Sequence, residues 1–249
     1  ITSYLREKVV TGKSSIAYLR SFRTDQTHTP SGLLSYNSTG KTNTVKFLGT
    51  GRYEVIVRGQ SLPGGHVQIT SYGNPAHYCK VQSWTRKNNN THVFVRCFRT
   101  TGALTNSLFS LLYSKRSPSG GNVGGYVWAN NLTSSSYTPP ISFQYNSLYP
   151  AVATTQNTAG KNNSTGSYWV KYPKIKGKPS TALVTAYGAN SDYCKIRSWS
   201  ALSTDAKVNV QCFNRLGNPV NARFNQLLML GRRRLLFKVP KKQLDKALD

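Results

Sequence analysis

Short runs of apolar, β-branched and aromatic residues recur along the chain and alternate with polar positions. Stretches rich in Gly, Pro, Asn and Ser separate these runs at intervals of roughly 8 to 15 residues, which is typical of antiparallel strands joined by turns. Neither copy of the repeat described below contains an apolar period of roughly 3.6 residues, which would indicate a helix. The one helical candidate is the short sequence after Pro240. The pattern therefore predicts an all-β protein built as an antiparallel β-sandwich or small β-barrel.

One strongly patterned stretch occurs twice. Residues 78–98 read YCKVQSWTRKNNNTHVFVRCF, and residues 193–213 read YCKIRSWSALSTDAKVNVQCF. In both, a strand with Cys-Lys and Ser-Trp is followed by a polar tip and by an apolar strand that ends in Cys-Phe. The second copy lies 115 positions after the first. The sequence therefore predicts two similar β domains in tandem, each with about seven or eight short strands.

The domain boundaries follow from where the repeat begins and ends. We predict copy 1 over residues 15–116, copy 2 over 126–231, and a Gly- and Ser-rich linker over 117–125. An N-terminal arm, 1–14, and a basic, apolar tail, 232–249, have no counterpart in the other copy. The tail is interpreted either as a strand that covers a sheet edge or as an assembly segment or anchor. The residues assigned to that second role are Arg232, Arg233, Arg234 and Phe237.

Opposed cysteines predict one disulfide within each hairpin. If the first tip is centred on Asn88, Cys79 faces Cys97, and the same register places Cys194 opposite Cys212. Cysteines at opposed, non-hydrogen-bonded strand positions come close enough to bond, and each bond would stabilise its domain by roughly 3 kcal/mol. A zinc site in each copy is disfavoured, because copy 2 contains no histidine.

The same alternation divides each hairpin into two faces. Ser83 is expected opposite Val93 and Ser198 opposite Val208, on the cysteine face, with the tryptophan on the other face among cations. This second face has two interpretations. It is either a core whose Lys and Arg reach the rim, or an exposed surface that stacks rings and pairs with anions. The candidate binding residues on it are Lys80, Trp84, Arg96, Lys195, Arg197 and Trp199.

Charge and composition narrow the possible functions. The chain carries 33 Lys and Arg against seven Asp and Glu, a formal charge of +26, which favours polyanionic partners such as an anionic polysaccharide, a wall polymer or a cell surface. So few acids disfavour paired-carboxylate catalysis, and the GxSxG, HExxH and phosphate-loop motifs are absent. We therefore expect no enzyme activity, cofactor or metal. Without a zinc finger, helix-turn-helix or RNP motif, sequence-specific nucleic-acid binding is not expected.

The cysteines and the N-terminal sequence indicate where the protein is located. Four cysteines in matching places, none in a CxxC pair, suggest an oxidising compartment. The N-terminus lacks an initiator Met and a signal-peptide apolar region, so Ile1 is interpreted as the start of a processed mature chain. No apolar run approaches the roughly 20 residues that cross a bilayer. We expect a secreted, extracellular protein.

Several motifs of the second copy are shared with a known group. They are Tyr-Asn-Ser at 145–147, Thr-Ala-Tyr-Gly at 185–188, Cys-Lys-Ile-Arg-Ser-Trp-Ser at 194–200, Val-Asn-Val-Gln-Cys-Phe at 208–213 and Gly-Asn-Pro-Val-Asn-Ala-Arg-Phe at 217–224. With these motifs the chain resembles secreted tandem-repeat proteins of soil bacteria such as actinomycetes, over nearly all of the two copies. The resemblance implies export and a paired β-rich module. It implies no activity and no site residues.

These observations favour an exported, non-catalytic binding or adhesion protein that presents a cationic surface to anionic polymers or cell surfaces. The alternative is a structural subunit of an extracellular filament, coat or matrix, which self-associates through its terminal segments. A pore-forming protein or toxin is a third hypothesis, and it depends on the basic, apolar tail alone.

Overall fold

The computed structural model describes residues 15–60, 64–115, 124–148, 156–176, 180–202 and 204–230. This part of the chain is made of strands, and its one helical element is the 3-10 turn Ile141–Phe143. The all-β prediction is confirmed. The strands are β1 (Ser15–Ser21), β2 (Ser35–Asn37), β3 (Thr44–Gly49), β4 (Arg52–Val57), β5 (His66–Tyr72), β6 (His77–Lys87), β7 (Asn90–Arg99), β8 (Leu108–Lys115), β9 (Gly124–Ala129), β10 (Gln144–Asn146), β11 (Thr158–Lys161), β12 (Ser167–Tyr172), β13 (Ser180–Tyr187), β14 (Tyr193–Ser200), β15 (Ala206–Phe213) and β16 (Arg223–Leu230).

The strands form three sheets. Sheet I has the order β2-β1-β8-β5, and sheet III has the order β11-β12-β15-β14. Sheet II has eight strands in the order β10-β9-β16-β13-β6-β7-β4-β3. Its neighbours are antiparallel except at the centre, where β13 meets β6 in parallel at one register pair, Tyr187 with Val81. The described residues before position 116 are called the first half below, and those from position 124 the second half.

The first half is a two-layer structure with its core between sheet I and the β6-β7-β4-β3 part of sheet II. In β1, Ala17 and Leu19 are buried while Tyr18 and Arg20 are exposed, as expected of a strand with one face on a core. The core cluster joins such inward residues from both layers. It contains Ala17, Leu19, Val67, Ile69, Phe109, Leu111 and Tyr113 from sheet I, and Val45, Tyr53, Val55, Val57, Val81, Val93, Val95 and Cys97 from sheet II.

The second half packs in the same way, with its core between sheet III and the β10-β9-β16-β13 part of sheet II. Strand β15 shows the reason, because its Ala, Val and Cys positions alternate with Lys, Asn, Gln and Phe. The buried positions of β15 meet inward residues of β9 and β16. The buried cluster includes Val127, Ala129, Tyr168, Val170, Tyr172, Val208, Val210, Cys212, Phe224 and Leu228.

A buried asparagine pair anchors the short strand of each half. Asn37, at the end of β2, donates from its amide to Asn43 Oδ1 at 3.0 Å and to the Arg58 carbonyl at 2.9 Å. In the second half Asn146 donates to Asn157 Oδ1 at 3.2 Å. Since buried amides are costly unless they are paired, these bonds explain why the Tyr-Asn-Ser motif appears in both halves.

The N-terminal arm 1–14 lies outside the described residues, as do residues 117–123 of the predicted linker. So does the tail 232–249, which contains the four assigned residues and the helical candidate after Pro240. The predicted linker 117–125 ends too late, because β9 already begins at Gly124. Backbone pairing with β16 at that position makes it part of a sheet. In the part of the chain that the structure describes, no helix is long and apolar enough to span a membrane.

Candidate functional site

Each cysteine hairpin contains the predicted disulfide. Cys79 is bonded to Cys97 between β6 and β7, and Cys194 is bonded to Cys212 between β14 and β15. In both pairs the Cα atoms lie 4.0 Å apart. This is the close spacing of non-hydrogen-bonded strand positions, the kind of site that the sequence predicts for both pairs.

A β-bulge in each hairpin overturns the predicted faces. Cys79 pairs with Cys97 as expected, but after the bulge at Gln82 the register advances, and Ser83 faces Phe94 rather than Val93. Ser198 likewise faces Asn209 rather than Val208, which lies opposite Trp199. One extra residue moves every following side chain to the other face, because side chains alternate along a strand. Trp84 and Trp199 therefore lie on the cysteine side, away from the cations.

The first candidate trio, Lys80, Trp84 and Arg96, lies at the junction between the two halves. Arg96 Nη1 donates to the Ala189 carbonyl at 2.8 Å, and its Nε donates to Gln82 Oε1 at 2.6 Å. The bond to Ala189 holds the loop after β13 against the β6-β7 hairpin, and the bond to Gln82 lies within the hairpin. Lys80 is buried at this junction and Trp84 and Arg96 are half-buried, so binding by this trio stays a prediction.

Lys80 is the most deeply buried cation of this trio, with 1 % of its surface exposed. Its Nζ donates to Asn190 Oδ1 of the second half at 2.9 Å, and Asn190 in turn donates to Asp192. Burial lowers the pKa of the Lys80 amine from 10.5 to about 8, while the Asp192 carboxylate opposes the shift and Arg96 adds to it. The junction therefore contains a cation that burial makes easier to deprotonate.

Trp84 joins an aromatic cluster that spans the junction. Its ring meets Trp128 at 5.5 Å, Tyr187 at 5.5 Å and Phe143 at 5.7 Å between centroids, in edge-on geometry. Its Nε1 donates to the Gly64 carbonyl at 3.2 Å. Such ring pairs are favourable beyond their buried area, so this cluster helps to fix the two halves together.

The second candidate trio occupies a different environment. Lys195, Arg197 and Trp199 are all exposed, and they lie on β14, the edge strand of sheet III. Trp199 keeps 44 % of its surface exposed, and its Nε1 donates to the carbonyl of Ser180 at 3.2 Å. Lys195 Nζ lies 5.1 Å from the centre of the Phe213 ring. Of the six candidates, these three are exposed, whereas Lys80 is buried and Trp84 and Arg96 are half-buried.

The outer face of sheet III gathers cations and rings that the sequence interpretation did not select. Lys207 Nζ lies 5.8 Å from the centre of the Trp169 ring, across the pair β12 and β15. Together with Lys195 over Phe213, this gives two cation–ring pairs on one sheet face. Amides and hydroxyls fill the positions between them. We call this surface the cationic face: Trp169, Lys171, Lys195, Lys207, Asn209, Gln211 and Phe213.

The matching surface of the first half has a different chemistry. Glu54 occupies the place on β4 that Trp169 has on β12, and its carboxylate binds His92 Nδ1 at 2.6 Å and Lys46 Nζ at 3.7 Å. That surface thus has a carboxylate among its cations. On the cationic face, the carboxylate of Asp205 pairs with Lys171 at 2.8 Å, and Lys195 and Lys207 lie over rings. The two surfaces therefore each contain one carboxylate, but they differ in that Lys195 and Lys207 lie over rings on the cationic face.

No group of three or more His, Cys, Asp and Glu side chains in the described ranges is placed to hold a metal ion. Comparison with protein-family models, with curated proteins and with solved structures finds no match for this chain. The resemblance to secreted tandem-repeat proteins of soil bacteria stays a prediction.

Proposed function

We propose that the chain contains two copies of one β unit. The strand order of sheet I, β2-β1-β8-β5, corresponds strand by strand to β10-β9-β16-β13 of the second half. In the same way, β3-β4-β7-β6 corresponds to β11-β12-β15-β14. Both disulfides join cysteines 18 positions apart, and both hairpins contain a bulge at the corresponding residue. These correspondences support the tandem duplication, and they let each surface of one half be compared with its counterpart.

We further propose that this is an exported, non-catalytic binding protein for anionic polymers, and that the cationic face is its binding surface. The observation that carries this proposal is the pair of ammonium groups over rings, Lys195 over Phe213 and Lys207 over Trp169, on one open sheet face. Rings offer a flat apolar platform, and the ammonium groups beside them attract sulfate, phosphate or carboxylate groups.

The shape of the surface favours a polymer over a small molecule. Four strands about 4.8 Å apart make a face about 14 Å wide, long enough for several sugar or phosphate units. The whole chain, with its formal charge of +26, adds a long-range attraction to a polyanion. Export is supported by the two disulfides, since such bonds persist in oxidising compartments.

Titration with a sulfated polysaccharide over a range of salt concentrations tests the proposal. We expect tight binding of heparin at low salt, a steep loss of affinity as salt rises, and no binding of neutral dextran. The double variant Lys195→Gln/Lys207→Gln should lower the slope of log affinity against log salt by roughly two, because about one counterion is released for each cation that contacts the polymer. Trp169→Ala should weaken binding at every salt concentration without changing the slope.

The matched control removes two exposed lysines from the first half, Lys41→Gln/Lys87→Gln, with the same change in net charge. We expect this control to keep the wild-type slope. An equal effect of the two double variants would show that charge alone, not the cationic face, determines binding. Indifference of the wild-type protein to heparin at low salt would reject polyanion binding altogether.

A structural subunit that self-associates is the second candidate function. The specific observation in its favour is the outer edge of β14, with which no described strand pairs, whereas the corresponding edge of β6 pairs with β13.

A further inference from the structure

A stacked tyrosine pair is covered in the second half, where Tyr126 is buried and Tyr145 is half-buried, and open in the first half. Tyr126 stacks on Tyr145 at 5.8 Å with an interplanar angle of 23°, and Tyr18 stacks on Tyr36 at 5.3 Å with the same angle. Tyr126 is 1 % exposed, because His66 of the first half stacks on it at 4.6 Å. Tyr18 is 50 % exposed and Tyr36 is 46 % exposed. The second half uses the outer face of β10-β9-β16-β13 to pack on the first half. The corresponding face of the first half, the outer face of sheet I, is uncovered.

The second half also has a counterpart of the surface with which the first half contacts it at the junction. In the first half β5 and β6 receive the second half, with Gln68 donating to the Asn225 carbonyl at 3.1 Å and Val81 accepting from the Gly188 amide at 2.9 Å. The corresponding strands of the second half are β13 and β14. There Leu183, in the place of Gln68, is 42 % exposed. Within the described chain, nothing pairs with the edge of β14.

The aromatic cluster of the junction also has counterparts at the two open ends. Trp84 contacts Trp128 and Tyr187 in the junction, and Trp128 lies 5.2 Å from Tyr187. In the first half Arg20 and Tyr72 take the places of Trp128 and Tyr187. The Arg20 guanidinium lies 4.6 Å from the centre of the Tyr72 ring, and the Tyr72 backbone leads into Gly73, whose φ of 110° resembles the 119° of Gly188.

We propose that a second copy of this chain docks head to tail, its sheet I face on the β13-β14 edge of the first. The contact repeats the junction within the chain, with Trp199 of one copy against Arg20 and Tyr72 of the next. A guanidinium beside an indole ring is a favourable cation–π contact, so the exchange of Trp for Arg keeps the contact attractive. The inference rests on the proposed duplication and does not depend on polyanion binding.

The symmetry of this contact determines the form of the assembly. Two different surfaces meet, so each added copy leaves one open end of each kind, and the contact extends into a chain of molecules rather than closing as a two-fold dimer. Because each copy carries a formal charge of +26, repulsion opposes the contact at low salt. Added salt therefore strengthens self-association while it weakens polyanion binding, so the two proposals fail or succeed separately.

Sedimentation velocity of the full chain, at rising protein concentration and at low and high salt, tests the inference. We expect the mass to grow with concentration, and more so at high salt. Trp199→Glu blocks one end and Tyr18→Glu blocks the other, and each should weaken association roughly thirtyfold, as for a central aromatic residue of an interface. The matched control is Leu48→Glu, since Leu48 is also 44 % exposed but lies on β3, away from both ends.

An equimolar mixture of the two blocked variants gives the sharpest outcome. Each variant keeps one intact end, so the mixture should form a heterodimer and no larger species, which also shows that both variants are folded. A monomeric wild-type protein at all concentrations and salts would overturn the inference. Association that survives both substitutions would also overturn it, and would place the contact elsewhere, such as in residues 1–14 or 232–249.

Discussion

The protonation of Lys80 should make the stability of the junction depend on pH. Lys80 is 1 % exposed, and burial lowers the pKa of its amine in the folded protein to about 8 from 10.5. Below pH 8 both folded and unfolded chains bind the proton, and the folded state bears the full cost of burying the charge. Between pH 8 and 10.5 the unfolded chain binds more protons than the folded one, so the stability of the folded protein rises with pH.

The size of the effect follows from the pKa change. One pKa unit corresponds to about 1.4 kcal/mol, so this group should change the free energy of unfolding by about 3 kcal/mol between pH 7 and pH 10.5. Buried tyrosines act in the opposite direction at high pH, since burial raises the pKa of Tyr78 and Tyr113 above 10.0. The difference in the free energy of unfolding between wild type and Lys80→Met excludes the contribution of the tyrosines, because both proteins contain the same tyrosines.

Urea denaturation from pH 7 to pH 10.5 measures this difference. We expect the free energy of unfolding of the wild type to rise relative to Lys80→Met by about 3 kcal/mol over that range. Lys195→Met is the matched control, at the same hairpin position of the second half but exposed, and its curve should run parallel to the wild type. Parallel curves for Lys80→Met as well would refute the burial argument.

Three further substitutions test the packing of the fold. Replacing Cys194 and Cys212 together by Ser should lower the free energy of unfolding by roughly 3 kcal/mol in urea denaturation, because the 18-residue separation is no longer closed in the unfolded chain, and an unchanged midpoint would contradict this. Asn37→Ala should cost about 2 to 3 kcal/mol in the same assay, since it leaves buried partners unpaired, whereas Asn163→Ala, at an exposed position, should cost less than about 0.5 kcal/mol. Gly166→Ala places a Cβ 2.5 Å from the Cys212 carbonyl oxygen at a φ of +70°, so calorimetry should show a lower Tm and a loss of more than about 1 kcal/mol, and a neutral result would count against the described turn.

The alternation of residues was sufficient to predict the all-β class and both disulfides. Cys79 and Cys97 were placed opposite each other by centring the tip on Asn88, whereas the observed turn lies between Lys87 and Asn90 and the bulge at Gln82 restores the cysteine pairing. The bulge could not be predicted in the same way, because Gln82 and Arg197 at the bulged positions are ordinary polar residues. Since a single extra residue reverses every later side chain, this one omission placed Trp84 and Trp199 on the wrong face.

The junction was beyond sequence reasoning for a different reason. Lys80 and Lys195 occupy the same motif, yet one is buried and the other exposed, because only Lys80 is covered by Asn190 and its neighbours. Long-range contacts of this kind leave no local pattern. The cationic face did leave one, since Lys207 and Asn209 alternate with buried valines in β15, which marks them as outward positions.

Lysine footprinting by acetylation and mass spectrometry, with and without heparin, tests the central claim most directly. If the cationic face binds the polymer, Lys195 and Lys207 should lose reactivity when heparin is present, while Lys41 and Lys87 of the first half keep theirs. Equal protection of all four lysines, or protection confined to Lys41 and Lys87, would contradict the account.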